Sequence, residues 1–278
     1  MAEAFPRSFA LIGPGRAGGS LALALAAAGV ECVGVAGPAP DHAGAAVLAD
    51  RLVAPVRTVD HVADGAELLV ITVPDDAIRG AAALAQPGIG PGTLVVHCSG
   101  LAPLDALPLR AIAAKGAAGA ALHPLQTLPD AERGAALLAG SWAAVAGDDR
   151  VSDVARRLGL RPFPVSDESR ARYHAAACVA SNHLVVLLAQ VDRLGGGADV
   201  PTEAFTPLIR STLDNVDAIG PVAALTGPVA RGDVETVARH LATLDAEERA
   251  LYLPLARGAL DLVAEPHPGM RELLDSAR

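Results

Sequence analysis

Residues 8–28 hold the feature that most restricts what this chain can become. An apolar run, Ser8 to Ile12, meets Gly13-Pro14-Gly15-Arg16-Ala17-Gly18 and passes into an Ala- and Leu-rich stretch ending at Ala28. Glycines spaced GxGxxG between a strand and a helix form a loop that can seat a dinucleotide pyrophosphate. Gly13 permits the tight turn, Gly15 lets the backbone approach the pyrophosphate, and Gly18 lets the helix pack closely. Arg16 and Ala17 open the helix whose N–H groups attract the anion. The same spacing also serves tight packing alone; the flanking strand and helix favour the nucleotide.

The strand–loop–helix pattern repeats. Glu31 to Ala36, Leu68 to Val73, Thr93 to His97 and Gly119 to Leu122 read as strands separated by helical or loop sequence, which predicts a doubly wound parallel sheet. A strand near Trp142 to Ala146, a helix near Val151 to Leu158 and a strand near Pro162 to Val165 complete a first domain, residues 1–165. Residues 166–278 then read as helices only: 169–194, 202–219, 233–244 and 246–264. Asp167 and Glu168 suit a helix start, Gly195-Gly196-Gly197 ends the first helix, and Pro221 ends or kinks the next. The expected class is α/β, a Rossmann sheet domain followed by an all-α domain.

A net charge of −9 with no basic stripe argues against a nucleic-acid partner. Cys32, Cys98 and Cys178 lack CxxC spacing, so neither a disulfide framework nor a metal site is expected, and a reducing cytoplasm fits. The N-terminus, Met1 to Pro6, is acidic and broken by proline, unlike a secretory signal. Tyr173 to Val191 is uncharged but carries His174, Ser181, Asn182, His183 and Gln190. It reads as a buried helix too polar to face lipid, and no membrane partner is expected. Aromatic residues are only 3% of the chain, so its apolar content must pack through Ala, Leu and Val.

In such a sheet the C-terminal ends of the strands face one crevice. Val73-Pro74-Asp75-Asp76, His97-Cys98-Ser99-Gly100 and His123-Pro124-Leu125-Gln126-Thr127 lie at those ends. Val73, Pro74, Ser99 and Gly100 become candidate cofactor contacts. Asp75 and Asp76 read first as helix caps, and Ser99 fits a cap or a cofactor contact equally. His97 and His123 read first as hydrogen-bonded structural histidines, then as proton donors. Cys98 reads as a small buried residue. Gly34 to Pro40, at the end of the second strand, offers no acid for a ribose diol. With Arg16 close by, NADP(H) is favoured over NAD(H).

On the helix from Ser169, His174, Cys178, Ser181 and Asn182 fall at i, i+4, i+7 and i+8, one helical face. Their polar groups need partners, either one another or a substrate. In Thr226-Gly227-Pro228-Val229-Ala230-Arg231-Gly232-Asp233, Arg231 could grip a carboxylate or pair with Asp233. The only lysine, Lys115, falls toward the opposite edge of the sheet.

The glycine loop together with VPDDAI, HCSG, HPLQT, YHAAACVASNHL and LTGPVARGD resembles the bacterial family that joins a Rossmann-like domain to the domain of unknown function 2520. The resemblance spans residues 8 to about 265. It implies kinship with pyrroline-5-carboxylate reductase, ketopantoate reductase and the 6-phosphogluconate dehydrogenase group, hence an NADP-type oxidoreductase whose helical domain often forms a homodimer. The chain departs from those enzymes where Lys115 cannot serve as their catalytic lysine and where the second strand lacks an Asn-Arg ending. The expectation is therefore hydride transfer from a reduced nicotinamide to a small 2-oxo carboxylate, ketopantoate-like, in the interdomain cleft. His174 would donate the proton with His123 in reserve, Ser181 and Asn182 would orient the carbonyl, and Arg231 would hold the carboxylate. An imino-acid reductase of the pyrroline-5-carboxylate type and a non-catalytic dinucleotide sensor are the alternatives.

Overall fold

The computed structural model describes residues 5–39, 41–263 and 267–277. Met1–Ala4, Pro40 of the second strand end and Ala264 of the last expected helix lie outside the described residues. The chain divides into two compact units, Met1–Ser181 and Asn182–Arg278.

The first unit is built on a seven-stranded sheet: β1 (Ser8–Ile12), β2 (Glu31–Ala36), β3 (Leu68–Ile71), β4 (Leu94–His97), β5 (Ala118–Leu125), β6 (Trp142–Gly147) and β7 (Arg161–Pro164), in the order β2-β1-β3-β4-β5-β6-β7. β3 and β4 are buried along their whole length, as unbroken apolar runs covered on both faces should be. On one face pack α1 (Arg16–Ala27), α2 (Ala43–Arg51), α5 (Ala131–Leu138) and α6 (Arg150–Arg157), around Phe9, Leu11, Leu25, Val70 and Leu122. On the other pack α3 (Ile78–Leu84) and α4 (Leu109–Ala114), around Ile12, Ile71, Ile78 and Ile112.

The sheet departs from the expected all-parallel arrangement at β6, which runs antiparallel to β5 with Leu125 opposite Trp142. The chain leaves β5 at Leu125, and α5, packed on α1, returns it to that same end of the sheet, where Trp142 opens β6. β5 also continues past Leu122 to Leu125, so His123 and Pro124 are strand residues. Lys115 caps the end of α4, just before β5 enters the sheet, at the edge away from the glycine loop.

The scarcity of aromatic residues shows in the close approach of α1 and α5. A Cβ on Gly19 would lie 2.7 Å from that of Ala131, and one on Gly134 would collide with the Ser20 hydroxyl. Ser20 Oγ lies 2.7 Å from the Arg16 carbonyl and 3.2 Å from that of Asp130, tying the two helices.

Beyond β7 the described elements are helical: α7 (Asp167–Cys178), a π turn at Val179–His183, α8 (Leu184–Gly197), α9 (Thr206–Ala224), α10 (Val234–Thr243), α11 (Ala246–Leu262) and α12 (Pro268–Ser276). α9 breaks at Gly220, whose φ of 78° precedes Pro221. α12, with Pro268 in its first turn, extends the helical series past the last expected helix. The second unit's core joins α10, α11 and α12 through Val237, Leu241, Leu253, Leu260, Met270 and Leu274.

The expectation of a buried helix at 173–191 is overturned. Val179, Val185 and Val186 are all more than half exposed, and of the α8 residues only Gln190 and Gly195 are buried. By length and composition Asp167–Gly197 would also suffice to cross a membrane. Its apolar side chains made it read as core, but a helix is buried only where other elements cover it. α9 has no buried residue at all.

Candidate functional site

In the strand order, β1 and β3 are neighbours joined through β2 on the outer side, so the topology reverses between them; ligands of doubly wound sheets bind at such a point. The glycine loop sits there. Gly13 has a φ of 98°, a conformation that L side chains rarely adopt, and a Cβ on it would meet the Thr72 carbonyl at 2.7 Å. A Cβ on Gly18 would collide with Gly13 O and Thr72 Oγ1, whereas one on Gly15 would meet nothing within 4 Å. Thr72 Oγ1 donates to Gly13 O at 2.6 Å and so fastens the turn to the end of β3.

These features fit a pyrophosphate. Gly15 is the N-cap of α1 and supplies no side-chain cap, which leaves the first amides of Arg16, Ala17 and Gly18 to an incoming anion. The open approach over Gly15 is where the anion's bulk would pass. Val73 and Pro74 follow Thr72 directly, Pro74 heading a short 3-10 turn. Beside the second strand end, the His42 ring is wedged between Gly37 and Gly44 and accepts from Ala45 N at 3.2 Å as the N-cap of α2. Arg16 is exposed, as is Asp41 beyond the described part of the β2 end.

The ends of β4 and β5 bring a second group together. His97, the last residue of β4, is fully buried, and neither ring nitrogen has a partner among the described residues. Burial, helped by the Arg170 charge, lowers its pKa to about 4 against the opposing carboxylates of Asp75 and Asp167. Burial pushes the Cys98 thiol up to about 12, which makes it inert. Ser99 Oγ accepts from Leu101 N at 3.1 Å and Ala102 N at 2.8 Å, so it caps the following turn. Gly100 is pressed against two imidazoles: a Cβ there would lie 2.8 Å from His174 Cδ2 and 2.9 Å from His123 Nε2.

His123 Nδ1 lies 2.7 Å from the Tyr173 hydroxyl. Burial lowers His123 to about 4, with the neighbouring His174 and Arg170 adding to the effect, and raises Tyr173 to about 12. The pair is therefore neutral at pH 7, with one proton between the Tyr173 hydroxyl and Nδ1. His123 is a poor reserve acid for this reason. The rings of His123 and His174 are 6.2 Å apart, edge to face, and Phe163 backs Tyr173 at 5.8 Å.

Arg170, one helical turn before Tyr173 and His174, is 1% exposed. Its Nε donates to Asp167 Oδ1 at 2.9 Å, while Nη1 and Nη2 have no partner among the described residues. The Asp167 carboxylate also accepts Leu104 N at 3.0 Å, binding the segment after β4 to the start of α7.

The predicted helical face is only partly formed. His174, Cys178 and Ser181 are half-buried in line, with Cys178 Sγ 3.9 Å from His174 Nδ1, but Asn182 is exposed. A π turn at Val179–His183 interrupts the helical period within this face. Arg231 is exposed in the turn before α10, and Asp233 caps α10 through Thr236 N. Among the described residues no group of three or more His, Cys, Asp or Glu could hold a metal.

The Rossmann-like domain model matches residues 5–124, and the domain of unknown function DUF2520 matches residues 143–259. The chain thus joins a Rossmann-like domain to a DUF2520 domain. The fold recurs in a candidate NADP oxidoreductase from Bacteroides fragilis, 24% identical, with a TM-score of 0.74 over 92% of this chain and 98% of that one. A protein from Thermotoga maritima is 23% identical, with a TM-score of 0.65 over 97% and 98% of the two chains. A reductive aminase from Aspergillus terreus, solved with NADPH and ethyl levulinate, is 14% identical, with a TM-score of 0.66 over 99% and 100%. No protein of curated function matches the sequence. The fold of this chain is thus shared with these proteins.

Thr72, Tyr173, Arg170 and His42 are the site residues that sequence reading missed. Thr72 directly follows an apolar strand, and Arg170 precedes His174 by four residues, so strand-end position and helical spacing were the available signals.

Proposed function

We propose that the protein is an NAD(P)H-dependent reductase of a small 2-oxo acid. The observation that carries this reading is the adjacency, along one edge of a single sheet, of an anion-accepting glycine loop and the His123–Tyr173–His174 group. The loop would hold the dinucleotide through Gly13, Gly15 and Gly18 and the amides of Arg16 and Ala17, with Val73, Pro74, Ser99 and Gly100 as further contacts. A bound reduced nicotinamide supplies a hydride to the carbonyl carbon. His174 donates the proton to the carbonyl oxygen, giving the 2-hydroxy acid, and is reprotonated from solvent. The neutral His123–Tyr173 pair fixes the ring environment of His174 through Gly100, which leaves no room for a side chain. Ser181 and Asn182 orient the substrate carbonyl and Arg231 holds its carboxylate in this proposal.

NADP(H) is favoured over NAD(H), supported by the lack of an acid between Gly34 and Pro40 and by the exposed guanidinium of Arg16. Asp41 is the feature that works against it. The exposed apolar side chains of α8 and α9 support a homodimer through the helical unit, the net charge of −9 speaks against a nucleic-acid partner, and the polar His174, Ser181, Asn182, His183 and Gln190 are the support for a cytoplasmic protein with no membrane partner.

Titration with NADPH and NADH, followed by absorbance during mixing with ketopantoate, pyrroline-5-carboxylate and other oxo acids, tests the reading. Oxidation with an oxo acid supports it, oxidation only with the imine moves the reaction to imino-acid reduction, and binding without turnover leaves a dinucleotide sensor. His174→Ala should lower kcat by roughly 100-fold or more if it is the acid. Tyr173→Phe, which keeps the ring and loses the hydrogen bond, should cost about tenfold or less.

A further inference from the structure

At the end of β2 one side chain stands where another would be expected. In a doubly wound sheet the group at this point meets the ribose beside the adenine, an Asp or Glu gripping its diol or an Arg taking a 2′-phosphate. Here Gly13 N donates at 3.0 Å to the carbonyl of Ala36, the last residue of β2, so the strand end and the glycine loop border one space. The next residue, Gly37, has no side chain to offer. Its φ lies outside the left-handed region, so conformation does not call for a glycine there. Space does: a Cβ on Gly37 would lie 2.6 Å from Cβ and 2.8 Å from Cγ of His42.

The His42 ring is held from a second side as well. A Cβ on Gly44, in the first turn of α2, would lie 2.9 Å from His42 Cε1, 3.2 Å from Nδ1 and 3.7 Å from the Pro14 carbonyl of the glycine loop. Nδ1 accepts from Ala45 N at 3.2 Å. A backbone N–H can only donate, so Nδ1 carries no proton and the ring proton sits on Nε2. The edge against the two glycines is Cγ, Nδ1 and Cε1, which leaves Nε2 on the far side. His42 is half-buried, and Nε2 has no partner among the described residues; unlike the ring nitrogens of His97, it is not a buried unpaired atom. The result is one open N–H donor beside the glycine loop, on a side chain fixed by its own cap and by two glycines.

We propose that His42 is the residue that reads the adenine-side ribose, donating Nε2–H to a 2′-phosphate and so selecting NADP(H). The proposal rests on the dinucleotide reading of the glycine loop. A donor to a phosphate oxygen makes a charge-assisted bond, about twice as strong as one to a neutral hydroxyl. With Nδ1 occupied by Ala45 N, the ring has no acceptor for the proton of a 2′-hydroxyl. The exposed Arg16 of the glycine loop and the exposed Asp41, next to His42 in the chain, are charges of opposite sign and act against each other here.

2′-Phospho-ADP-ribose and ADP-ribose differ only in that phosphate and carry no nicotinamide, so their binding is read apart from turnover. Calorimetric titration of the full chain should show the phosphorylated compound binding at least about tenfold more tightly. His42→Ser keeps a hydroxyl that can cap Ala45 N and removes the ring, and His42→Asn does the same with an amide. Both should lose most of the preference, with ADP-ribose affinity within about twofold and the melting midpoint close to its original value. Gly37→Asp combined with His42→Ser puts a carboxylate into the space the ring leaves, and ADP-ribose should then bind the more tightly. Equal affinity of the unaltered chain for the two compounds, tighter binding of ADP-ribose, or a preference for the phosphate that persists in both His42 variants would each overturn the proposal. Failure of both compounds to bind would overturn it together with the dinucleotide reading beneath it.

Discussion

The sheet unit and the helical unit solve the problem of burial differently. In the first, both faces of the sheet are covered, and strands such as β3 and β4 have no exposed residue. In the second, one cluster on α10–α12 forms the core, while α9 runs for 19 residues without burying any and leaves Leu208, Ile219 and Val222 more than half exposed. The first can stand as a folded body by its own contacts. The second carries an apolar surface that water alone leaves uncovered, which is why a second copy is proposed for it.

The largest effect should come from breaking the self-sufficient side. Gly18→Ala puts a methyl group into the Gly13 carbonyl and the Thr72 hydroxyl, and should cost more than about 3 kcal/mol in urea unfolding as well as dinucleotide binding. Acid should come next. His97 is held neutral in the fold, at about 4 against the ordinary 6.5, so between those values the unfolded chain binds more protons. Stability is full above pH 6.5 and falls as pH drops toward 4, by roughly 3 kcal/mol for His97 alone. His123 acts in the same direction. Urea midpoints at pH 7 and 4.5 measure the loss, and His97→Met should remove the His97 share of it while that of His123 remains.

The helical side should respond through association. Ile219→Glu with Val222→Glu, read by light scattering over a dilution series, should weaken a dimer by tenfold or more, about 1.4 kcal/mol, and leave the pH dependence above unchanged. A monomer before mutation would end the contrast as drawn. The smallest stability change belongs to Gly15→Ala, under about 0.5 kcal/mol because its Cβ would meet nothing, although dinucleotide affinity should still fall.

The same contrast explains what the sequence made legible. The run from Ser8 through Gly18 into α1 is local, and glycine spacing between a strand and a helix has few structural solutions, so its place could be read directly. The alternation down to β5 was equally readable. The direction of β6 depends on the end of the sheet to which α5, packed on α1, returns the chain, and no periodicity announces the π turn at 179–183. The burial of 173–191 was misjudged because composition reports what a helix can bury and says nothing of what covers it. At the site, His123 and His174 stood out as titratable residues. Tyr173 and Arg170 did not, because each matters through partners distant in sequence: His123 for the first, and the β4 edge, held through Asp167, for the second.

Helix α1 begins at Gly15 without a side-chain cap, and this makes its first turn a reporter. In amide hydrogen exchange, Arg16, Ala17 and Gly18 should exchange fast in the free chain, since their N–H groups have no carbonyl one turn earlier within the helix. Any molecule with a pyrophosphate, ADP as well as an intact dinucleotide, should slow them. The first turn of α1 thus registers the phosphate half of a ligand separately from the half that does chemistry.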